Sequence, residues 1–369
     1  MQVLDQTRFP HQTGAGMDVA GRSFVTLTVK GSFAFPDRES DPPLPLDAPR
    51  PLVMADEYTG APGFSAPLWE SDFAFRKPLC DVVLNGAAHA PGGRAVERLR
   101  VGLAVGAWSK QLDVVGQRQW RTLGPAITAT RPYPFTRMPF SYDTAFGGPD
   151  RSRPPGPDVP VYAANPVGLG FATPRGGDPA GLALPNTEAP GEGVTSPYRS
   201  YRPVALGPYG RGWPLRLPFG GTYDDAWLAE TAPFLPPDFD ERYYQMAPPD
   251  QQIAPPAPFT PVVLVHLTPR GREAFRLPDT RLPIRIWRGA EVCLDAQVLP
   301  DTLLFDAEAR VFMLVWRVSV PVRRTLAEFS RAWIGAPTAA MLRAEREGRG
   351  YLRLPGLTDD APEDAEAAP

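Results

Sequence analysis

Lysine, histidine and cysteine are all scarce in this chain of 369 residues. There are three lysines (Lys30, Lys77, Lys110), three histidines (His11, His89, His266) and two cysteines (Cys80, Cys293). Two distant cysteines outside any CxxC spacing do not make a disulfide framework, and they read as free buried thiols. No two histidines have zinc-ligand spacing, and HExxH is missing. His266 lies in an apolar strand and reads as a satisfied core or edge histidine. His89, in "HAPGG", reads as the end of a strand. A thiol dyad of Cys80 with His89 is the weaker alternative. Positive charge is almost all arginine, and the net charge of −3 leaves no footprint for nucleic acid or an anionic membrane.

Long apolar runs are absent too. "VFMLVW" (Val311–Trp316) is far too short to span a bilayer, and "MQVLDQTRFPHQTGAG" has no basic start followed by an apolar stretch. A soluble, cytoplasmic protein without membrane insertion is expected. "GFSAP" around Ser65 has a proline where a nucleophile elbow needs glycine. "GLGF" and "RGG" near Gly168 and Arg175 lack the lysine of a phosphate loop and read as turn glycines. No cofactor is expected.

What the chain has in abundance is proline, 48 residues, beside 34 glycines. That approaches the composition of low-complexity disorder, but 10% aromatic content argues for an ordered, loop-rich protein. Strand patterns come first. In "SFVTLTVKG", Val25, Leu27 and Val29 alternate with Thr26, Thr28 and Lys30, as in a half-buried strand. "RLRVGLAVGAWSKQLDVVG" predicts a hairpin, with Leu99, Val101, Leu103 and Val105 on one face and a turn between Gly106 and Ser109. "DVVLNGAAHA" predicts a further strand.

From Gly147 to Pro258 proline and glycine recur every few residues, too densely for a regular sheet. Trp213, Tyr223, Trp227, Phe234 and Phe239 supply anchors that a free linker would lack. "DDAWLAE" predicts a short helix with Asp224 as its N-cap. Strands resume in "PVVLVHL", "LPIRIW" and "RVFMLVWRVSVPV". Leu326, Phe329 and Trp333 then follow helical spacing, interrupted at Gly335 and Pro337.

The expected architecture is mainly β, with antiparallel sheets in a sandwich or barrel-like arrangement. It divides into a β domain (1–146), a Pro/Gly-rich ordered loop region on the sheets (147–258), a β segment (259–322), a C-terminal amphipathic helix (323–349) and a disordered acidic tail (357–369).

One stretch invites chemistry. "FLPPDFDERYYQMAPPDQQ" (Phe234–Gln252) sets Asp238, Asp240, Glu241 and Asp250 among prolines and tyrosines. Paired carboxylates could serve a hydrolase acting on carbohydrate or peptide if they converged on a cleft. The stronger reading is structural, because proline-rich backbone has few ladder partners and acidic side chains satisfy the rest.

Several stretches, taken together, resemble a bacterial family known as domain of unknown function 2169. They are "ADEYTGAPG" (Ala55–Gly63), "ESDFAFRKPLCDVVLNGAAHAPGG" (Glu70–Gly93), "MPFSYDTAFGG" (Met138–Gly148), "NPVGLGF" (Asn165–Phe171), "LPNTE" (Leu184–Glu188), "LGPYGRGW" (Leu206–Trp213) and "GTYDDAWLAETAPFLPPDFDERYYQMAPPDQQ" (Gly221–Gln252). Thr187, where a larger apolar residue is expected, and Gln245, where asparagine is usual, depart from the pattern. The resemblance implies a non-enzymatic adaptor or chaperone of type VI secretion. Such a protein would bind an effector, a toxin or PAAR-like protein, and help load it onto the VgrG spike. It brings no catalytic residues. Candidate partner-binding residues are Trp213, Trp227, Arg242, Tyr243 and Tyr244, each of which could instead be packing. The alternatives are the carboxylate-dependent hydrolase and a structural component of the secretion apparatus.

Overall fold

The computed structural model describes residues 1–124, 126–349 and 351. It is mainly β, built from several antiparallel sheets with no closed barrel. Two compact units are present. One comprises Met1–Arg8, Leu282–Gln297 and the described residues from Ala327 on; the other comprises Phe9–Arg281 and Val298–Leu326.

The larger unit holds a seven-stranded and a five-stranded sheet. In the first the order is Arg137–Phe140, Cys80–His89, Thr302–Asp306, Val311–Pro321, Ser23–Ala34, His11–Met17, with Gln252–Ile253 paired to the start of Cys80–His89. Thr302–Asp306 runs parallel to Cys80–His89, whereas the other neighbours are antiparallel. The alternation of Val25, Leu27 and Val29 predicts one wet face for Ser23–Ala34, yet the strand is buried on both. The neighbouring strand and loop chain together satisfy the polar face. Thr26 bonds the Ser319 hydroxyl at 2.7 Å, and Lys30 Nζ donates to Asp72 at 2.8 Å. Buried polar groups persist only with such partners.

The five-stranded sheet runs Thr187–Glu188, Trp108–Val115, Arg98–Val105, Pro261–Val265, Arg272–Arg276. Its central hairpin is the expected one. Val105 pairs with Trp108, Gly106 takes φ +59° in the turn, and Leu99, Val101, Leu103, Val105, Leu112 and Val114 are buried. Phe275 of this sheet stacks on Phe312 of the other, with Phe35 also against both rings. These contacts form an aromatic core at ordinary ring-packing distances.

The loop-rich middle is held by glycines where backbones nearly touch. A Cβ on Gly148 (φ +83°) would lie 2.0 Å from the Gly168 carbonyl oxygen. Asn165 clamps the same place, donating to the carbonyls of Tyr142 (2.8 Å) and Phe146 (3.1 Å). Thus "AFGG" and "NPVGLGF" are two halves of one tight backbone crossing.

In the smaller unit a four-stranded sheet runs Gln2–Asp5, Phe329–Ile334, Leu282–Arg288, Glu291–Val298. Here the structure corrects the expected helix over 323–349. Phe329–Ile334 is a strand, flanked by Gln2–Asp5 and Leu282–Arg288. The separation of four between Phe329 and Trp333 fits a period of two as well as a period of 3.6, so spacing alone could not choose. Pairing on both sides decides for the strand. Leu326, the third apolar position of that pattern, is exposed. Gly335 (φ +88°) ends the strand, and only Ala339–Arg346 is helical, capped by Thr338 accepting from the Met341 N–H at 3.2 Å. The expected acidic tail, 357–369, lies outside the described residues.

Candidate interaction surface

The question raised by Phe234–Gln252 is answered by its partners. Asp238 accepts from the Thr222 N–H (3.0 Å) and hydroxyl (2.7 Å). Asp240 caps the short 3-10 turn Glu241–Tyr244, accepting from the Arg242 N–H at 2.8 Å, and pairs with the Arg242 guanidinium at 2.6 Å. Glu241 receives Arg76 through both Nε and Nη2. Asp250 meets Lys110 Nζ at 2.9 Å. The four carboxylates therefore face four different sets of partners rather than one another. Bonds from Thr222 hold Asp238 below the usual carboxylate range, and Arg242 does the same for Asp240. A general acid needs the opposite shift.

The stretch is anchored from beneath by buried charge. Asp81, fully buried, accepts from Lys77 Nζ (2.7 Å), Gln245 Nε2 (2.7 Å), Met246 N (2.9 Å) and Ala247 N (3.2 Å). Gln245, the departure from the family pattern, thus spans from Asp81 to the Leu79 N–H. Arg216 clamps the other side, donating to the carbonyls of Tyr243 (2.9 Å) and Tyr209 (2.7 Å) and to Glu70 (2.9 Å). All three lysines of the chain are used in this way, as buried partners of Asp72, Asp81 and Asp250. For Lys110 burial lowers the pKa, against the opposing pull of Asp250.

Over this base the chain from Leu215 to Phe234 exposes apolar side chains. Leu215 is 61% exposed, Leu217 53%, Tyr223 56%, Leu228 66% and Phe234 45%. The helix Asp225–Glu230, capped by Asp224 as the sequence predicts (Trp227 N–H to Asp224, 2.8 Å), buries none of its residues. Single exposed apolar residues are commonplace; five within twenty residues make this segment the candidate contact surface. Beside them lies a pocket of about 160 Å³ walled by Leu215, Phe219, Pro248 and Pro249 and by the polar side chains of Arg216, Arg242, Gln245 and Gln252.

Of the residues singled out from sequence, Trp227, Arg242, Tyr243 and Tyr244 fall in or beside this region. Trp227 is half-buried, donating to the Phe234 carbonyl (2.9 Å) and meeting Tyr223 edge-to-face. Arg242 is exposed with its guanidinium 4.2 Å from the Phe219 ring centroid. Tyr243 and Tyr244 are half-buried around Phe239. Trp213 stands apart in the core, edge-to-face with Tyr142 and Tyr209. The sequence reading did not single out Leu215, Leu217 or Leu228; the signal was leucine spaced among prolines and acids, with no pattern to bury it.

Other candidate chemistry is accounted for by structure. Cys80 and His89 occupy opposite ends of one strand, roughly 30 Å apart at the rise of a β-strand, and cannot form a dyad. Burial pushes the Cys80 thiol well up. Ser65 is a turn residue, donating to the Ala61 carbonyl (2.9 Å) and accepting from Gly60 N (3.0 Å).

The Asn165 crossing and the Asp81–Gln245 clamp fall within the stretches that carry the family resemblance, and the comparison with known families agrees. A model described as an uncharacterized protein conserved in bacteria, DUF2169, matches residues 20–317. The chain belongs to that family. No curated protein and no solved structure matches it. The family match includes the whole Leu215–Phe234 surface and its Asp81 base. Among the described residues, no helix of this DUF2169 member is long and apolar enough to cross a membrane.

Proposed function

We infer that this chain is a non-enzymatic adaptor that binds another protein through the Leu215–Phe234 surface. The observation that carries the reading is the run of exposed apolar side chains held in place by a buried ionic base. An ordered apolar surface costs solubility unless a partner covers it. A rigid one also loses little conformational freedom on binding.

The partner indicated by the sequence resemblance is a type VI secretion effector with a PAAR-like domain, and the step served is loading onto the VgrG spike. The mechanism is equilibrium binding, in which the adaptor covers apolar effector surface that would otherwise aggregate. Such a complex buries on the order of 1,600 Å². The leucines, with Trp227 and Arg242 at their margin, form the centre of the contact. The alternative of a hydrolase using the Asp238–Asp250 carboxylates is disfavoured by their separate, internal partners. A structural part of the secretion apparatus would instead co-purify in fixed stoichiometry with spike or sheath.

The test is co-expression with a PAAR-like effector from the same bacterium, followed by size exclusion. One shared peak, with an effector insoluble when made alone, is expected. Separate peaks with a soluble effector would count against the adaptor role.

A further inference from the structure

The seven-stranded sheet of the larger unit ends at His11–Met17, whose outer side has no paired strand among the described residues. The ladder to Ser23–Ala34 fixes which groups face outward. The Lys30 N–H bonds the Pro10 carbonyl (2.9 Å), and the Asp18 N–H bonds the Arg22 carbonyl (3.1 Å). Bonded residues alternate in antiparallel pairing, so Gln12, Gly14 and Gly16 bond inward. Thr13, Ala15 and Met17 therefore turn their N–H and C=O groups outward. None of those groups has a partner among the described residues.

Proteins blunt open edges with charge, proline or brevity. The other edges of the three larger sheets conform. Arg137–Phe140 contains Pro139, Arg272–Arg276 begins and ends on arginine, and Glu291–Val298 carries Glu291 and Asp295. Gln2–Asp5 and Thr187–Glu188 are short and end on an acid. Gln12–Met17 has neither charge nor proline, and its glycines leave a slot on one face of the sheet. Gly14, Gly16, Thr26, Thr28, Phe75 and Tyr244 border this slot of about 170 Å³, which has no charged residue in its wall. A Cβ on Gly14 would meet nothing within 4 Å. The strand adjoins the Leu215–Phe234 surface: a Cβ on Gly21, in the turn that leads to Ser23–Ala34, would lie 3.5 Å from the Phe234 ring.

We propose that Gln12–Met17 pairs with one extended segment of the partner protein, which adds a strand to the sheet and sets a large apolar side chain over Gly14. This rests on the adaptor reading above and names the form that the partner takes beside Phe234. An extended backbone presents N–H and C=O groups at the spacing of Thr13, Ala15 and Met17. An apolar side chain over an edge glycine fills the slot against Phe75 and Tyr244. A second copy of this chain cannot do so. Two-fold antiparallel pairing through the outward groups sets even-numbered residues opposite one another, which leaves only Gln12, Gly14 or Gly16 over the slot.

The experiment titrates a PAAR-like effector against the full chain and three variants in a pull-down, with melting followed by circular dichroism. Ala15→Pro removes one outward N–H and no bond to Ser23–Ala34. Its melting temperature should hardly change, while effector binding weakens about tenfold or more. Gly14→Val puts a side chain in the slot and should weaken binding to a similar degree. Ala15→Thr keeps the N–H and should bind as the natural chain does. Should Ala15→Pro lose its β-sheet signal, Gly14→Val and Ala15→Thr decide. Natural affinity in a folded Ala15→Pro or Gly14→Val, with binding still lost in Leu215→Asp with Leu228→Asp, would overturn the edge pairing and leave the adaptor reading standing. No binding by the natural chain would overturn both. Light scattering of the free chain is expected to show a monomer. A dimer that Ala15→Pro disperses would give the edge to a second copy and overturn the proposal. Slow hydrogen exchange of the outward amides in the free monomer would do the same, because the chain would then cover its own edge.

Discussion

Asp81→Ala is the perturbation that most sharply tests the buried base. Four donors converge on this carboxylate: Lys77 Nζ, Gln245 Nε2 and the N–H groups of Met246 and Ala247. Lys77 is 1% exposed and keeps only Thr302 Oγ1 (3.0 Å) once Asp81 is gone. Removing one partner of a buried pair costs about 3–5 kcal/mol, because the remaining charge is left uncompensated. The larger unit exceeds the size for which 1 kcal/mol shifts the melting temperature by about 2–4 °C, so the low end applies and a drop of roughly 6–10 °C is expected. Thermal melts followed by circular dichroism measure it. Lys77→Met combined with Asp81→Leu should recover part of the loss, since an apolar pair of similar volume carries no desolvation penalty. A drop under about 2 °C for Asp81→Ala would refute the reasoning, because it would mean that Lys77 finds solvent or another anion at little cost.

Other expected outcomes follow from the same geometry. Leu215→Asp with Leu228→Asp should leave the melting temperature within a degree or two, since both side chains are already exposed, yet weaken effector binding at least tenfold in a pull-down titration. Gly148→Ala should cost about 3 kcal/mol or more in urea unfolding, because its Cβ would overlap the Gly168 oxygen at a φ that favours glycine; a near-neutral result would contradict the close crossing. Burial acts to raise the Asp150 pKa, but bonds from Ser152 and Thr173 prevail and hold it below the ordinary 3.8. Its stabilising effect is thus present above that ordinary value and lost as pH falls through the lower folded value. The melting-temperature gap between the natural chain and Asp150→Asn should accordingly be full at pH 7 and shrink below pH ~3.8. A gap independent of pH would show that the charge is not what matters.

Much of the fold could be read in the residues, for identifiable reasons. The Leu99–Val114 hairpin is encoded twice, by alternation and by a Gly106 turn, and both signals agree. The Asp224 cap is encoded by one side chain at one position. The helix expected over 323–349 is confined to Ala339–Arg346, because Phe329 and Trp333 fit two periods and partners from Gln2–Asp5 and Leu282–Arg288, remote in sequence, chose the strand. Burial of the polar face of Ser23–Ala34 depended likewise on Asp72 and Ser319, which no local pattern announces.

At the candidate surface, sequence favoured aromatics and arginine, and four of those five residues lie in or beside the exposed region. Trp213 went to the core because its ring closes a cluster with Tyr142 and Tyr209. The leucines passed over are ordinary residues whose meaning is their exposure, and exposure is a property of the folded chain. The scarcity of lysine had its own content, visible only in three dimensions: each lysine is a buried strut.

The central claim is that Leu215–Phe234, on its buried ionic base, is a partner-binding surface. Hydrogen-exchange mass spectrometry on the free chain and on its complex with the effector tests it most directly. The account predicts slowed exchange concentrated in peptides covering 215–234, with the neighbouring 241–252 segment little changed because Asp81 already holds it. Protection confined to other parts of the chain, with 215–234 exchanging as fast in the complex as alone, would contradict it.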